Sequence, residues 1–270
     1  MTAASAGGQS EASTVARWLA VALLGVLAAV FVLGVFAPAS FADLALERAT
    51  AGRVRLADSA GSLWQGEGRL MLPDLVSAQG DRPGTGMVVP GRLRWRVQPL
   101  PLLLGIVDAV LEVDGMSAPV RVNGDLSEWH VGAGSLALPE IDLASLGSPW
   151  NTIRPVAAVS MRWDPLTIRA SSVDGKASIE LRDAASAMTQ VRPLGTYRID
   201  LAGAGNELSL ALVTLAGDLR LEGKGRWEPR AGVSFTAYAW GDGPVRAQLQ
   251  NLLGLIGGLE GDRTVIRIGG

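Results

Sequence analysis

The hydrophobic pattern begins with an apolar run over residues 18–36, which contains no charged residue and no proline. A bilayer core about 30 Å thick is crossed by roughly 20 apolar helical residues, because an unpaired backbone amide is too costly in hydrocarbon. The pattern therefore predicts a transmembrane helix over residues 18–36. This helix divides the chain into a short polar tail, residues 1–17, and a long segment, residues 37–270.

Charges on either side of the run predict its orientation. Arg17 directly precedes the run, whereas Asp43 and Glu47 follow it ahead of Arg48. Basic residues favour the cytoplasmic side, so we expect a cytoplasmic tail and export of residues 37–270. A cleaved secretory signal is the alternative, since Ser40-Phe41-Ala42 offers small residues at a cleavage site, and it would export the same segment. The run is longer than the ~7 to 15 residue core of a signal peptide, which favours the uncleaved anchor.

Beyond the run, apolar and polar residues alternate over many short segments. A period of two places one row of side chains on a buried face and the other in water, as is typical of β-strands. Clusters of turn-forming residues separate these segments. The alternating segments include residues 91–97, 176–182, 196–201 and 218–224, and the turn signals include residues 58–61, 81–84, 114–115, 123–124, 174–175 and 203–206. The predicted fold is mainly β, an antiparallel sheet.

Two helices are considered in the first half of this segment. Ser40 is predicted to cap a helix over residues 41–50, with Gly52 as its C-terminal stop. Residues 101–113 are apolar enough for either a buried helix or a buried strand, and their short length does not distinguish the two.

A short C-terminal helix is predicted after Gly243-Pro244. Its apolar residues recur at helical spacing and form one stripe. The residues of the stripe are Val245, Leu249, Leu252, Leu253 and Ile256. We expect the stripe to pack on the sheet, with a membrane-surface or partner-binding helix as the alternative.

The segment also contains an internal repeat of roughly 66 residues. Gly66-Glu67-Gly68-Arg69-Leu70-Met71-Leu72-Pro73 resembles Gly132-Ala133-Gly134-Ser135-Leu136-Ala137-Leu138-Pro139. Leu93-Arg94-Trp95 likewise resembles Met161-Arg162-Trp163, and Arg226-Trp227 resembles Arg162-Trp163. A short sheet cannot bury its apolar face alone, so repeated units are expected to extend one continuous, twisted or curved sheet.

The order of these elements resembles the type II secretion system protein N family, also called general secretion pathway protein N. Its members share a G-(S/T)-L-W-x-G element after one transmembrane helix, tryptophan-centred strands, and a Leu-Leu-Gly-rich helix before a final strand. The matching positions are Gly61-Ser62-Leu63-Trp64-Gln65-Gly66, then Trp95 and Trp163, then Leu252-Leu253-Gly254-Leu255-Ile256-Gly257, then Thr264-Val265-Ile266-Arg267-Ile268. The resemblance covers nearly the whole chain.

This resemblance implies an accessory component of the Gram-negative machine that exports folded proteins across the outer membrane. It implies a single-pass inner-membrane anchor at residues 18–36, in contact with membrane lipid, and a periplasmic domain at residues 37–270. It also implies partners among the other secretion components, first the inner-membrane platform and in addition the secretin. The family is similar to AsmA-like proteins, whose extended β-sheets form apolar grooves associated with envelope lipid handling. An AsmA-like lipid-binding or lipid-handling protein is therefore the alternative.

Composition and motifs favour a protein without catalytic chemistry. The net charge of -2 offers no electrostatic footprint for nucleic acid. With no cysteine and one histidine, His130, thiolate and all-histidine metal sites are excluded, and a Ser-His-Asp triad has one possible base. The family has no established catalytic motif. We expect no catalytic residue, no cofactor and no metal, with His130 an ordinary strand residue.

Tryptophans are the remaining candidate site residues. Trp64, Trp95, Trp129 and Trp163 lie at predicted strand positions, where each would bury ~150 to 250 Å². One interpretation is core packing. The other is that some of them line an apolar groove for an acyl chain or a partner strand. The sequence does not separate the two.

Overall fold

The computed structural model describes residues 18, 21, 24–25, 37–50, 52, 54–73, 86–146, 150–228 and 232–268. The predicted tail and the turn predicted at residues 81–84 lie outside the described residues. So does most of the predicted transmembrane helix, of which the described positions are helical. No helix in the described ranges is both long enough and apolar enough to cross a membrane. The membrane anchor therefore stays a prediction.

Strands make up most of the described chain. They are β1 (Arg55–Gly61), β2 (Gln65–Pro73), β3 (Gly86–Val88), β4 (Leu93–Val97), β5 (Val107–Val113), β6 (Val120–Gly124), β7 (Glu128–Val131), β8 (Gly134–Asp142), β9 (Pro155–Trp163), β10 (Leu166–Arg169), β11 (Ser172–Ser186), β12 (Gly195–Ala204), β13 (Glu207–Ala216), β14 (Leu219–Glu228), β15 (Gly232–Gly241), β16 (Gly258–Glu260) and β17 (Arg263–Ile268). The helices are α1 (Ser40–Ala49), α2 (Pro99–Leu102), α3 (Trp150–Ile153) and α4 (Arg246–Ile256), with 3-10 turns at Leu143–Leu146 and Gly243–Val245.

The strands form one large antiparallel sheet, in which neighbours in the sheet are mostly neighbours in sequence. β7 continues into β8 and β9 continues into β10, and these two long, interrupted strands pair with each other along both parts. The first residues of β11 pair with β10, and the remainder pairs with β9 and β12. β11 therefore joins the two halves of the sheet, and the predicted mainly β, antiparallel fold is confirmed.

The two faces of the sheet differ in chemistry. In β4, Leu93 and Trp95 are buried on one face, which we call the inner face, while Arg94 and Arg96 are exposed on the outer face. Ion pairs cover the outer face, and they include Arg94–Asp114, Arg169–Glu128, Arg198–Asp200 and Arg220–Asp242. Exposed pairs of this kind contribute little to stability because solvent screens them, so they chiefly keep the outer face hydrated.

Helix α1 covers the inner face in the first half of the sheet. Leu46 in the helix and Ala39 just before it pack with Leu56 and Trp95 in one apolar cluster. The Oδ1 atom of Asp43 accepts a 2.7 Å hydrogen bond from the backbone N–H of Leu56, which ties the helix to β1. The predicted helix is confirmed with a shifted start, because its first residue is the predicted cap, Ser40, and no side chain caps it.

Helix α4 covers the inner face in the second half. Leu249, Leu252 and Leu253 are buried in a cluster with Leu219 and Ala239 of the sheet. The predicted apolar stripe thus packs on the sheet. Between helix α1 and helix α4, the inner face carries the buried side chains of Ile141 and Val159. It also carries apolar side chains such as Leu201 and Leu210 that are only half-buried.

The ambiguous segment 101–113 contains both kinds of structure. It is divided between the short helix α2, which begins at Pro99, and strand β5. Gly105 lies between them with a φ of 75°, a left-handed conformation that ends the helical turn and that glycine adopts without a steric penalty. The prediction that residues 101–113 form one helix or one strand is therefore wrong.

Some predicted turns lie inside strands. Residues 58–61 belong to β1, where Asp58 has a φ of 52° and the register with β2 shifts between Ala57 and Ala60. Two residues of β1 therefore lie opposite one residue of β2, which is a β-bulge: the chain is distorted at the predicted turn but does not reverse. Residues 123–124 and 174–175 likewise lie within β6 and β11, whereas residues 114–115 and 203–206 contain chain reversals as predicted.

Two equivalent glycine–tryptophan pairs occupy the inner face. Gly66 of β2 lies opposite Trp95 of β4, and Gly134 of β8 lies opposite Trp163 of β9. Each indole ring lies so close to the glycine that an added Cβ would stand 2.5 Å from the ring atom Cζ2. The sequence repeat aligns Gly66 with Gly132, whereas in the structure Gly66 corresponds to Gly134. The two alignments therefore differ by two residues.

Because of these close contacts, replacing either glycine with alanine is expected to cause a steric clash with the tryptophan. In Gly134→Ala the new methyl group would meet Trp163 at 2.5 Å and Val120 at 2.8 Å, and in Gly66→Ala it would meet Trp95 at 2.5 Å. We expect each variant to lower the free energy of unfolding by about 1 to 3 kcal/mol in denaturant titrations. Gly254→Ala in helix α4 is the matched control, because its Cβ meets no atom within 4 Å and alanine favours a helix by about 0.5 to 1 kcal/mol. Equal stability of all three variants would contradict the close packing.

Candidate functional site

An apolar cavity of about 170 Å³ lies between the inner face and helix α4. Strands β9 and β11 to β15 form its floor, and α3 and α4 contribute Ile153, Leu252 and Ile256 to its walls. It lies at the end of the strands where β11 ends and β12 begins. Further lining residues are Leu143, Leu181, Tyr197, Ile199, Leu212 and Phe235.

The polar side chains in the lining are already hydrogen-bonded. The hydroxyl of Tyr197 donates to the carbonyl oxygen of Leu219 at 3.0 Å, and burial raises the pKa of Tyr197, so this side chain stays neutral at physiological pH. The hydroxyl of Ser186 donates to the carbonyl oxygen of Ile153. An apolar cavity of about 150 Å³ stays dry and binds ligands such as benzene. The cavity therefore fits an apolar group and offers no side-chain partner to a charged one.

The uncovered middle of the inner face extends the apolar surface beyond the cavity. Ile199 lines the cavity, and Leu201 lies two residues further along the same strand on the same face. On one side, Leu210 of β13 pairs with Leu201 of β12. On the other side, Ala177 of β11 pairs with Leu201 and also with Trp163 of β9. These five side chains are half-buried: Ile199, Leu201, Leu210, Trp163 and Ala177. Together they form an apolar path between the cavity and the opposite end of the strands.

Two of the predicted tryptophans are structural anchors of the sheet. Trp95 is buried, and its Nε1–H donates to the carbonyl oxygens of Ser62 and Leu63 at 3.2 and 3.1 Å. Trp163 is half-buried, and its Nε1–H donates to the carbonyl oxygen of Gly132 at 2.9 Å. In both cases the polar edge of the ring is bonded to the backbone while its body lies over a glycine. The core interpretation holds for Trp95, and Trp163 also borders the uncovered inner face.

The other two tryptophans lie elsewhere. Trp129 of β7 is half-buried beside Gly124 and opposite Ile168 of β10. Trp64 lies in the turn between β1 and β2, where its carbonyl oxygen accepts a 2.7 Å hydrogen bond from Val97. The structure therefore does not bring the four tryptophans together into one site. The cavity was not predicted as a site, although the stripe of α4 signalled the helix that closes it.

His130 belongs to a polar cluster on the outer face. Its Nε2 lies 3.0 Å from Oε1 of Glu128, and its Nδ1 lies 3.3 Å from Oγ1 of Thr167. Glu128 also accepts a 2.9 Å hydrogen bond from Arg169. The order carboxylate, imidazole, hydroxyl is that of a catalytic relay, but the side chain of His130 is 51% exposed. A relay requires an enclosed substrate position with oxyanion donors, which an exposed strand surface does not supply.

Metal ligands are not clustered in the described part of the chain, where no three histidine or acidic side chains meet in a group that could hold a metal ion. The described side chains also leave no buried polar atom without a hydrogen-bond partner. Buried orphan groups are common marks of a missing ion or ligand. The candidate site is therefore defined by apolar surface.

Fold and site together define a mainly β protein built on one amphipathic antiparallel sheet with an apolar cavity. The family model of the type II secretion system protein N matches residues 52–267, and the chain belongs to this family. It is thus a component of type II secretion, as its resemblance to the family indicated. No curated protein and no solved structure matches the chain.

The exposed relay geometry predicts that His130 carries no chemistry. We expect His130→Gln and Thr167→Val to leave secretion of exoproteins unchanged, because neither residue borders an enclosed site. Secretion is measured in cells that lack the native chain and express each variant, with an empty vector as the reference for lost function. A variant that is present at normal abundance but secretes as poorly as the empty vector would contradict this expectation.

Proposed function

We propose that this chain is a non-catalytic component of the type II secretion system, anchored in the inner membrane by residues 18–36 and periplasmic through residues 37–270. The family match over residues 52–267 is the observation that carries the proposal. In this role the chain supports export of folded proteins across the outer membrane by contacting other components of the apparatus. The inner-membrane platform and the secretin are the two candidate partners.

Packing around residue 40 supports an uncleaved anchor. Signal cleavage after Ala42 would cut helix α1 and remove Ala39, which is 3% exposed in an apolar cluster. It would also remove the N–H of Ala39, which donates to Gly61 at 3.2 Å, and the carbonyl of Ala37, which accepts from Leu63 at 2.8 Å. All of these contacts would be lost on cleavage after Ala42.

The distribution of polar groups supports a role without catalysis. The cluster around His130 is exposed, and the hydroxyls of Tyr197 and Ser186 in the cavity are bonded to backbone carbonyls. Neither place combines a base, a nucleophile and an enclosed volume. The uncovered inner face instead offers apolar area of the kind that forms the centre of protein interfaces.

The anchor is tested by topology. A phosphatase fused after Gly270 is expected to be active in the periplasm, and the chain is expected to remain in the membrane after alkaline extraction. The double variant Val26→Asp and Ala29→Asp should block insertion, because a central charge costs about 2.5 to 3.5 kcal/mol. Val26→Leu with Ala29→Leu is the matched control. A soluble product that begins near Asp43 would show a cleaved signal instead.

Lipid handling, in the manner of AsmA-like proteins, is the second candidate function. The cavity favours it, because an apolar volume of about 170 Å³ accepts the end of an acyl chain. The path through Ile199, Leu201 and Leu210 provides apolar surface for the rest of such a chain. Burial of this surface would be favourable by about 25 cal/mol per Å².

Native mass spectrometry separates the two candidate functions. If the chain handles lipid, residues 37–270 prepared without detergent should carry phospholipid, and Leu212→Gln in the cavity lining should remove it. Val213→Gln is the matched control, because Val213 is the next residue and lies on the outer face. A lipid-free domain that crosslinks in cells to other secretion components would contradict lipid handling and support the first proposal.

A further inference from the structure

One end of the sheet displays large apolar side chains in water. The loop over residues 99–106, which connects β4 to β5, contains no charged residue. Leu100, Leu103 and Leu104 in this loop are 75%, 82% and 80% exposed. Exposed apolar patches on a folded protein mark contact surfaces.

The loop is held in place by backbone hydrogen bonds. The N–H of Gln98 donates to the carbonyl of Asp108 at 2.8 Å, across the base of the loop. Within the loop, the N–H of Ile106 donates to the carbonyl of Pro101 at 3.0 Å. The backbone that carries the leucines is therefore hydrogen-bonded and holds their side chains in fixed positions.

Leu126 adds a second apolar projection at the same end. Strands β4 to β7 alternate in direction, so the turn between β6 and β7 lies at the same end as the loop between β4 and β5. Leu126 in this turn is fully exposed. The Oδ1 atom of Asp125 fixes the turn by accepting hydrogen bonds from the backbone N–H groups of Ser127 and Glu128 at 2.7 and 3.0 Å.

Ala37, which follows the apolar run in the sequence, also lies at this end of the sheet. The carbonyl of Ala37, the first residue after the run, accepts a hydrogen bond from Leu63 in the β1–β2 turn. The carbonyl of Trp64 in the same turn accepts one from Val97, the last residue of β4 before the exposed loop. No spacer therefore separates residue 36 from the end of the sheet that carries the leucines.

We propose that this end of the sheet rests on the membrane, with loop 99–106 and Leu126 inserted at the boundary between headgroups and acyl chains. The proposal depends on the membrane anchor proposed above. Apolar side chains of surface-bound proteins enter this boundary by about 5 to 10 Å, a depth that exposed leucines can reach while the loop backbone stays hydrated. Asp108, the first carboxylate after the loop, is paired with Arg121 at 2.6 Å and does not oppose the contact by an uncompensated charge.

Site-specific fluorescence tests this contact in the full chain. The sequence contains no cysteine, so Leu103→Cys and Leu126→Cys each introduce a single labelling site. Met188→Cys is the matched control, because Met188 is apolar and 42% exposed but follows β11 at the opposite end of the strands. Each variant is labelled with an environment-sensitive fluorophore after reconstitution into phospholipid vesicles. Brominated lipids should quench most of the emission at positions 103 and 126 and little at position 188.

Equal, weak quenching at all three positions would overturn the proposal. It would also be overturned if position 103 stays accessible to water in vesicles but crosslinks to another secretion component in cells, since the leucines would then bind protein. Alkaline extraction of the same vesicles tests the anchor separately. An extracted chain shows that the anchor fails, whereas a retained chain with a water-exposed position 103 shows that only the membrane contact of the leucines fails.

Discussion

An antiparallel sheet with one apolar face must cover that face, and few helices are available here to do so. Helix α1 covers the half that contains Trp95, and helix α4 covers the half that contains Leu219. The middle of the inner face, with Leu201 and Leu210, is left half-buried. The cavity and the uncovered apolar path both follow from this incomplete cover.

Large aromatic side chains on the inner face must also be buried, although no second sheet packs against them. The packing of tryptophan against glycine achieves this burial. Trp95 and Trp163 pack against Gly66 and Gly134, where the missing Cβ makes room for the ring. The indole N–H groups bond to backbone carbonyls, so burial leaves no polar atom unpaired. The same arrangement in both places explains why Gly and Trp recur together in the repeated sequence.

Alternating apolar and polar residues were enough to predict the sheet, because a period of two has only one structural meaning over five or more residues. Local turn signals were less reliable, since the residues at 58–61 form a bulge within β1. The cavity could not be predicted, because its walls come from β9, β11 to β15 and α4, which are distant in sequence. The stripe of Leu249 and Leu252 predicted the helix but not the space beneath it.

The exposed leucines of loop 99–106 and the apolar cavity lie at opposite ends of the strands. If the end with Leu103 rests on the membrane, the strands lead away from it, and the cavity lined by Leu181 and Tyr197 lies at the far end. The half-buried residues of the inner face then form an apolar path from the membrane outward. Such a path would place a bound acyl chain or a partner segment along the strands, in contact with both the bilayer and the far end of the sheet. The orientation at the membrane therefore determines which occupants can reach the uncovered face.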